Sequence, residues 1–511
     1  MMKLMQTRRD FLRLAGKGLV GGAAVATLPN LLTESGAQAA TPMATAGIVR
    51  GKVTDDNSNM MPAVIMVTDA EGAVYRAFTN ALGGYAIALE PGEYTLTFMK
   101  GHEYSTVERT VEVASLKTYY LQDARLSPLY DSYAKGFLAG DCHQHSYYSD
   151  GVDAVDHIMV ANAANGLYFG FLTDHNTSRG VPEYNTVCRI NVRTEGGQPR
   201  FFCGMDGVEV TTEFGHYNAL GTGLTLETYD MKLTESERSS DEKMTHIRNK
   251  ILYVADCITR VGGVAQMNHP YSTNNMGMAN WVDKDDMEVY DLYDTMEIWN
   301  GYFCPPDGVF TTENSMNQNY SSKLLWYHLL NQMKSGHPFH AATGGTDNHE
   351  VAGTASAKNR AKIVEEPATL DEYYNTWTAT AKYNGMPATY TYFGEQPLTM
   401  ENACAAIKAG RSFITSGPVV ICKAQDKVYG EEVVLQGDTL TIDTDIFNRD
   451  GLREIRVVVN GETVQTIALN GEKTYNEPIT VSRTWEKKDW VLLEVLGPTC
   501  QYAITNPFII G

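Results

Sequence analysis

Strand-like alternation of apolar and polar positions dominates the first part of this chain. Three runs between residues 63 and 98 are apolar at every second position, which is the period of strands with one buried face. These runs are Ala63–Val67, Tyr85–Leu89 and Tyr94–Phe98. Gly83-Gly84 and Pro91-Gly92 supply turns between them. Residues from about 46 to 125 are therefore predicted to form a small β-sandwich.

From about residue 136 to 417 the pattern changes to apolar runs that alternate with helical periodicity. The predicted strands are Gly136–Ala139, Tyr168–Leu172, Phe201–Val210, Gly263–Met267, Thr295–Trp299 and Phe339–Ala342. The predicted helices are Ala154–Asn165, Met244–Val261 and Ser321–Lys334. Such alternation is typical of an α/β fold with a parallel sheet, which is often closed into a barrel.

The last part of the chain, about 418 to 511, returns to strand-like patterning. Ile455, Val457 and Val459 alternate toward Asn460-Gly461, a strong hairpin signal. Asn470-Gly471 repeats that signal further on. This segment is predicted to be a small Ig-like β-sandwich.

The first 39 residues have the pattern of a targeting segment. Arg8-Arg9 precedes a weakly hydrophobic Gly/Ala-rich run, and Ala37-Gln38-Ala39 offers small residues for cleavage. The segment resembles a twin-arginine signal peptide. That resemblance implies export of the folded protein to the periplasm or beyond, with the twin-arginine translocase as a partner during export. No later segment is long and apolar enough to span a bilayer, so no stable membrane insertion is expected.

Composition narrows the classes of partner. The formal net charge of -20 argues against nucleic acid or an anionic membrane surface as the main partner. A hydrophobic content of 43% is globular, and 511 residues suffice for two to four domains. A small-molecule substrate is the expected partner.

Histidines and carboxylates recur in short patches, most of them directly after a predicted strand of the central segment. The patches are Asp141-Cys142-His143-Gln144-His145, Ser149-Asp150-Gly151, Thr173-Asp174-His175, Glu209, His216, Asn268-His269-Pro270 and Thr346-Asp347-Asn348-His349. His143 and His145 are two apart on a strand end, so both imidazoles are expected on one face, with Cys142 packed on the other. Imidazole together with carboxylate suits Zn, Mn or Fe, so two or three divalent metals are expected. Such a site indicates a hydrolase that activates water.

On these motifs the chain resembles the polymerase and histidinol phosphatase (PHP) superfamily, and within it the carbaryl-hydrolase-like branch. The segment from Gly51-Lys52-Val53 to Gly92-Glu93-Tyr94 resembles the carboxypeptidase regulatory-like domain, which implies a spacer, docking or carbohydrate-contacting module. The PHP resemblance implies a distorted (β/α)7 barrel between residues 136 and 417. It also implies three ligand sets: His143, His145, Glu209 and Asp347; Asp150, His175 and His349; and Glu209, His216 and His269. Asp141, Asp174 and Glu297 are interpreted as carboxylates that orient these imidazoles.

The expected chemistry is attack by a metal-bridging hydroxide. Glu209 would help to fix that hydroxide, Asp347 would accept its proton, and His216 is a candidate proton donor to the leaving group. The chain has no G-x-S-x-G elbow, so a nucleophilic serine is not expected.

The loop after His175 is rich in arginine, which would favour an anionic substrate such as a phosphoester. Arg179 and Arg193 are the candidate contacts in this loop, beside Arg189 and Arg200, and Arg411 is a third candidate. Each arginine could equally serve a structural ion pair. Three functions remain open: a phosphoesterase, a carbamate, ester or amide hydrolase, and a non-catalytic metal- or glycan-binding envelope protein.

Overall fold

The computed structural model describes residues 45–511, with gaps at 73, 187–189, 196, 224–231, 273–275, 302–304, 309–316, 352–383 and 499–500. The targeting segment 1–39 and Arg189 lie outside the described residues. Among the described residues, every helix is too short or too polar to cross a membrane.

The N-terminal domain consists of two small β-sheets. Its strands are β1 (Gly47–Thr54), β2 (Val64–Asp69), β3 (Val74–Phe78), β4 (Gly84–Leu89), β5 (Gly92–Met99), β6 (Val107–Val113), β7 (Thr118–Tyr120) and β8 (Ala124–Arg125). One sheet has the order β4-β1-β7, with β8 also beside β1, and the other has the order β3-β2-β5-β6. Ile65 and Val67 of β2 point into the sandwich core, as the alternation predicted. Val64 and Met66 on the opposite face pack into the core of the central domain, so this domain is joined to the rest of the chain by a buried face.

The central segment contributes strands and helices in alternation. The strands are β9 (Phe137–Asp141), β10 (Phe169–Leu172), β11 (Asn191–Glu195), β12 (Gln198–Phe201), β13 (Cys203–Thr212), β14 (Gly215–Leu220), β15 (Val264–Met267), β16 (Thr295–Asn300), β17 (Ala341–Gly345), β18 (Ala388–Tyr392) and β19 (Ser412–Thr415). The α-helices are α1 (Val155–Ala164), α2 (Val181–Thr186), α3 (Glu235–Arg238), α4 (Lys243–Arg260), α5 (Met287–Tyr290), α6 (Gln318–Gln332) and α7 (Met400–Lys408). The predicted strands and helices all overlap these elements. The sequence pattern missed β11, β14, β18 and β19, and it merged the end of β12 with β13.

The strand order of the central sheet brings the predicted ligands to one end. The order is β17-β16-β15-β14-β13-β10-β9, and all neighbours are parallel except β14, which is antiparallel to both of its partners. A parallel bridge between Gln144 and Asn348 links the end of β17 back to the end of β9. The protein is thus mixed α/β with strands predominating. The full (β/α)7 barrel stays a prediction, because β13 and β14 are joined by a tight antiparallel connection rather than by a helix.

The C-terminal strands divide between the central sheet and a separate four-stranded sheet. They are β20 (Val419–Ala424), β21 (Glu432–Val433), β22 (Thr439–Phe447), β23 (Glu454–Val459), β24 (Glu462–Ala468), β25 (Thr474–Tyr475), β26 (Ile479–Ser482), β27 (Trp490–Leu496), β28 (Tyr502–Thr505) and β29 (Phe508–Ile510). Asn460-Gly461 forms the predicted hairpin between β23 and β24, with φ of 53° and 93°. Strand β28 pairs with β19, so the predicted boundary at residue 418 falls within continuous β-structure.

Candidate metal centre

The nine predicted ligands lie in one connected cluster at the carboxyl ends of the parallel strands. Four overlapping groups have ligand atoms within 4.8 Å of one another: His145, Asp150, His175 and His349; His143, His269 and Asp347; His143, His145 and Glu209; and His175, Glu209 and His216. His216 joins them because β14 runs antiparallel, which places its beginning beside the end of β13. The groups differ from the predicted sets in that His145 also approaches Asp150, and His269 approaches His143 and Asp347. Metal binding by these residues stays a prediction.

Glu209 lies at the centre of the cluster and is almost fully buried. Its Oε1 faces the imidazole nitrogens of His143, His216 and His269 at 3.2, 3.2 and 3.4 Å. Its Oε2 faces His175 at 2.8 Å and His145 at 3.4 Å. The two oxygens therefore face different groups, which is the geometry that a carboxylate bridging two metals requires.

Two aspartates define opposite sides of the cluster. Asp347 Oδ1 lies 3.0 Å from His145 Nε2 and 3.4 Å from His143 Nε2. Asp150 lies 3.1 Å from His349 Nε2 and 3.4 Å from His175 Nε2. The Asp150 side chain is 55% exposed, so the cluster opens to solvent on its side.

Two imidazoles have Nδ1 held from behind, so that Nε2 faces the cluster. His143 Nδ1 lies 3.0 Å from Glu297 Oε1, and His349 Nδ1 donates to the Asp347 carbonyl at 2.9 Å. Holding Nδ1 in this way fixes the ring orientation and the tautomer that a metal-binding histidine needs. His175 differs, because its Nδ1 contacts both the Thr211 hydroxyl and Glu209 Oε2, and its Nε2 lies 3.4 Å from Asp150.

Several buried nitrogens of the cluster make no hydrogen bond of good geometry within the described residues, although carboxylate oxygens face two of them at 3.0–3.4 Å. They are His143 Nε2, both ring nitrogens of His145, and His269 Nδ1. Buried polar atoms normally have partners, because leaving one unpaired costs roughly 1–3 kcal/mol. Nitrogen and carboxylate donors in this arrangement fit Zn, Mn or Fe, and a bound ion would satisfy the unpaired nitrogens.

Two candidate ligands have left-handed backbone conformations. His269 has φ of 25° and Asp347 has φ of 49°. Non-glycine residues adopt this region at a cost, and such strain clusters at functional sites. Asp347 therefore lies in the loop after β17 rather than in a continuing strand.

Only one of the three predicted orienting carboxylates contacts an imidazole. Glu297 accepts from His269 N at 3.0 Å in addition to its contact with His143. Asp141 instead accepts from the backbone N–H groups of His143 and Thr346, and Asp174 accepts from Ser146 and Ser149. Asp141 and Asp174 thus brace the ligand-bearing loops rather than the imidazole rings, which corrects that interpretation.

The charges of the cluster stabilise one another. Burial alone would raise the pKa of Glu209, but the facing imidazoles of His143, His175 and His216 hold it well below its usual value. Asp347 is affected in the same direction, because burial is outweighed by His143 and His145. Despite burial, Glu209 and Asp150 raise the pKa of His175 to about 10. Both buried carboxylates are therefore ionised at neutral pH, as metal ligands must be.

Buried amides support the carboxylates, and no sequence motif indicated this role for them. Asn268 donates to Glu209 Oε1 at 2.9 Å and to Asn218 Oδ1 at 2.8 Å. Asn300 donates to Asp347 Oδ2 at 3.1 Å. Asn268 is the neighbour of His269 and Asn218 follows His216 by two residues, whereas Asn300 lies at a strand end with no motif around it.

Two of the three predicted anion contacts lie at the wrong end of the strands. Arg193 pairs with Asp131 through both guanidinium nitrogens and lies over the ring of Tyr133. It also lies near Tyr168, which precedes β10, whereas His175 follows β10. The loop after α2 folds into the β11–β12 hairpin, which carries Arg193 toward the amino ends of the strands. The prediction of Arg193 as a substrate contact is corrected accordingly.

Arg411 likewise lies away from the cluster. It pairs with Glu431 at 3.0 Å, and its carbonyl accepts from the backbone of Tyr392. Tyr392 is paired with Phe137, the first residue of β9, whereas the ligands follow the end of β9. Arg179 makes no such ion pair within the described residues: it is exposed and follows His175 by four residues, so its contact with a substrate stays a prediction.

Comparison with known proteins identifies one domain. Residues 48–127 match the carboxypeptidase regulatory-like domain family, in agreement with the predicted 46–125 sandwich. No curated protein matched the chain.

Solved structures show only remote similarity. A two-domain protein from Bacteroides vulgatus that contains a predicted PHP-like metal-dependent phosphoesterase is 14% identical, with 72% of this chain and 95% of that chain covered and a TM-score of 0.29. An amidohydrolase from Chromobacterium violaceum with bound sulfate and no metal is 15% identical, with 41% and 87% covered and a TM-score of 0.26. Similarity at this level carries no conclusion about function, which must come from the geometry of the cluster.

Proposed function

We propose that this protein is a metal-dependent hydrolase, with phosphoesters as its first candidate substrates. The observation that supports the proposal is the cluster of nine imidazole and carboxylate groups, several of them buried and unpaired, around the two-sided carboxylate of Glu209. Two or three Zn, Mn or Fe ions would be held there, as the PHP resemblance of the sequence also implies.

Bound divalent ions would supply a water of lowered pKa and would polarise the substrate oxygen. Glu209 would hold ions on both of its sides, and Asp347 would accept the proton of the attacking water. His216 is proposed as a ligand, since its Nδ1 faces Glu209. The proton-donor role predicted for His216 would require its Nε2 to face the leaving group.

The substrate would enter beside Asp150, where the cluster is open. Arg179 is the arginine that supports an anionic substrate, because a guanidinium can pair with two phosphate oxygens. Arg193 and Arg411 form structural ion pairs away from the cluster, with Asp131 and Glu431. Because fewer cations are then available for an anionic substrate, a second candidate is favoured, the hydrolysis of a carbamate, ester or amide. The same ions and carboxylates would act on a carbonyl carbon.

Metal analysis and substrate profiling test the proposal together. The purified protein should contain two or three equivalents of metal by mass spectrometry, and should cleave p-nitrophenyl phosphate, its diester or a naphthyl carbamate. His143→Ala should lose metal and activity. The matched control His328→Ala, on α6 and paired with Asp285, should retain both.

Each outcome separates the candidates. Turnover of the phosphate esters alone supports the phosphoesterase, and turnover of the carbamate alone supports the carbonyl hydrolase. A metal-loaded protein that cleaves neither would indicate the non-catalytic binding function. Unchanged activity in metal-depleted His143→Ala would disprove the hydrolase proposal.

We further propose export of the folded, metal-loaded protein by the twin-arginine pathway, supported by the sequence of residues 1–39. Cell fractionation should find the mature protein outside the cytoplasm. Replacing Arg8 and Arg9 together by lysine should retain the precursor in the cytoplasm, and unaffected export would contradict this route.

A further inference from the structure

Asn300 is a fully buried amide at the end of β16, directly beside the cluster. Its Nδ2 lies 3.2 Å from Glu297 Oε2 and 3.1 Å from Asp347 Oδ2. Both partners are carboxylate oxygens, and an ionised carboxylate can only accept hydrogen bonds. The NH2 group of Asn300 must therefore be the atom that faces them, with one N–H for each carboxylate.

The backbone around this amide is held from the next helix. Asn300 N donates to Asn319 Oδ1 at 2.9 Å, and Asn319 Nδ2 donates to the Asn300 carbonyl at 2.9 Å. Asn319 lies in the first turn of α6 and is almost fully buried. This pair of hydrogen bonds fixes where the Asn300 side chain begins.

The two carboxylates that Asn300 holds have different tasks. Glu297 supports His143 through Nδ1 and His269 through its backbone N–H. Asp347 has Oδ2 on Asn300, which leaves Oδ1 facing the Nε2 atoms of His143 and His145. One neutral amide thus donates both to a supporting carboxylate and to a candidate ligand.

We propose that Asn300 is a positioning residue that presents a single oxygen of Asp347, and the Nε2 atom of His143, to the metal centre. The inference rests on the proposed function, since it concerns ligands of the same centre. In this role Asn300 acts through its hydrogen bonds to Asp347 and Glu297 rather than as a ligand. Loss of its two donors should therefore weaken metal binding and alter the coordination geometry.

Two variants test this role with Co²⁺ as the probe. Asn300→Leu has a similar size but no donor, and Asn300→Asp keeps the shape but restores at most one of the two hydrogen bonds. Metal-free wild type and variants are titrated with Co²⁺ alone, following the visible absorption bands. Both variants should bind Co²⁺ on the order of 10–100-fold more weakly, with altered bands, because a ligand oxygen is no longer oriented.

The control is Asn506→Leu, which removes a buried amide of the same kind. Asn506 donates to the carbonyls of Ala342 and Ser412 and contacts none of the nine candidate ligands. It should lower the thermal unfolding midpoint and leave the Co²⁺ affinity and spectrum unchanged. If Asn300→Leu does not fold, Asn300→Asp decides the question in the same titration.

The outcomes distinguish this role from the proposed function. Wild-type affinity and spectrum in a folded Asn300 variant would overturn the positioning role while leaving the metal hydrolase intact. If Asn506→Leu weakened Co²⁺ binding to the same degree, the effect of the Asn300 variants would be explained by general destabilisation of the protein. That result would also overturn the positioning role of Asn300. A wild type that binds no Co²⁺ would overturn the metal centre itself.

Discussion

At the scale of single residues, the cluster depends on a glycine as well as on its histidines. Gly345 ends β17 at a point where the chain passes close to two supporting groups. A Cβ atom at this position would lie 2.4 Å from His143 Cβ and 2.5 Å from Glu297 Oε1. Such distances require one of these groups to move, so the absence of a side chain keeps the His143–Glu297 pair in place.

Gly345→Ala should therefore displace Glu297 or His143 and reduce metal content by about tenfold or more, as expected when a supporting contact is lost. Metal analysis by mass spectrometry after equilibration with a limiting chelator measures the effect. Gly92→Ala is the control, because its added Cβ would meet only ordinary contacts at 3.5 Å or more. Full metal content in Gly345→Ala would show that the pair can shift without consequence.

The two loop arginines should respond differently to the same substitution. Arg193→Gln breaks the bidentate pair with Asp131. Because the Arg193 side chain is only 13% exposed, the loss should lower the free energy of unfolding by on the order of 1–3 kcal/mol, with little change in kcat/KM. Arg179→Gln should leave stability unchanged and raise KM for a phosphoester. Thermal unfolding and steady-state kinetics separate the two. Equal KM values for Arg179→Gln and wild type would remove the remaining support for an anionic substrate.

At the scale of elements, helix α6 joins the central and C-terminal strands through a buried ion pair. Lys323 Nζ lies 2.7 Å from Glu494 Oε1, and the Tyr327 hydroxyl donates to the same oxygen at 2.8 Å. The Lys323 and Glu494 side chains are 5% and 4% exposed. The carboxylate belongs to β27 and the ammonium to α6, so the interface is both polar and specific.

Lys323→Met should destabilise the protein by on the order of 3 kcal/mol, since it leaves a buried carboxylate without its main counterion. Arg456, at 3.5 Å from Glu494 Oε2, compensates only in part. The double variant Lys323→Met/Glu494→Leu should recover much of this loss, because the unpaired charge is gone. Denaturant unfolding measures both, and a single variant as stable as wild type would refute the pair's importance.

At the scale of the whole molecule, a lysine joins the N-terminal domain to the rest. Lys100, just after β5, is fully buried and donates to the carbonyls of Pro62 and Ala163, the latter in the last turn of α1. Arg449 from the C-terminal strands donates to the carbonyls of Gly101 and Tyr104 in the same loop. Three parts of the chain therefore meet at residues 100–104, and the N-terminal domain is fixed rather than tethered.

This junction should make stability depend on pH. Burial lowers the pKa of the Lys100 ammonium from 10.5 to about 7. Between these values the unfolded chain binds more protons than the folded one, so stability should rise with pH from about 7 toward 10.5. The rise should be smaller in Lys100→Met and unchanged in Lys52→Met, an exposed control. Thermal midpoints at pH 7 and 9.5 measure it, and parallel slopes in wild type and Lys100→Met would contradict the shift.

The sequence by itself determined the order of elements and the types of groups available for chemistry. Period-two and helical patterns are local, so they predicted the N-terminal sandwich, the overlapping central strands and the Asn460-Gly461 hairpin. The nine candidate ligands could be named because the histidine and carboxylate patches of the sequence resemble the motifs of the PHP superfamily. The antiparallel β14 was missed, because a short buried strand has no periodicity of its own.

Only the tertiary structure decided which groups meet and what holds them. Contacts between distant segments, such as Asn300 with Asp347, leave no local pattern, and a guanidinium in sequence near a ligand can fold away from it. Arg193 lies away from the cluster because its hairpin places it beside Asp131. Asp141 accepts hydrogen bonds from backbone N–H groups rather than from an imidazole. Donor chemistry is a property of residue type, whereas partners and orientation are properties of the packed chain.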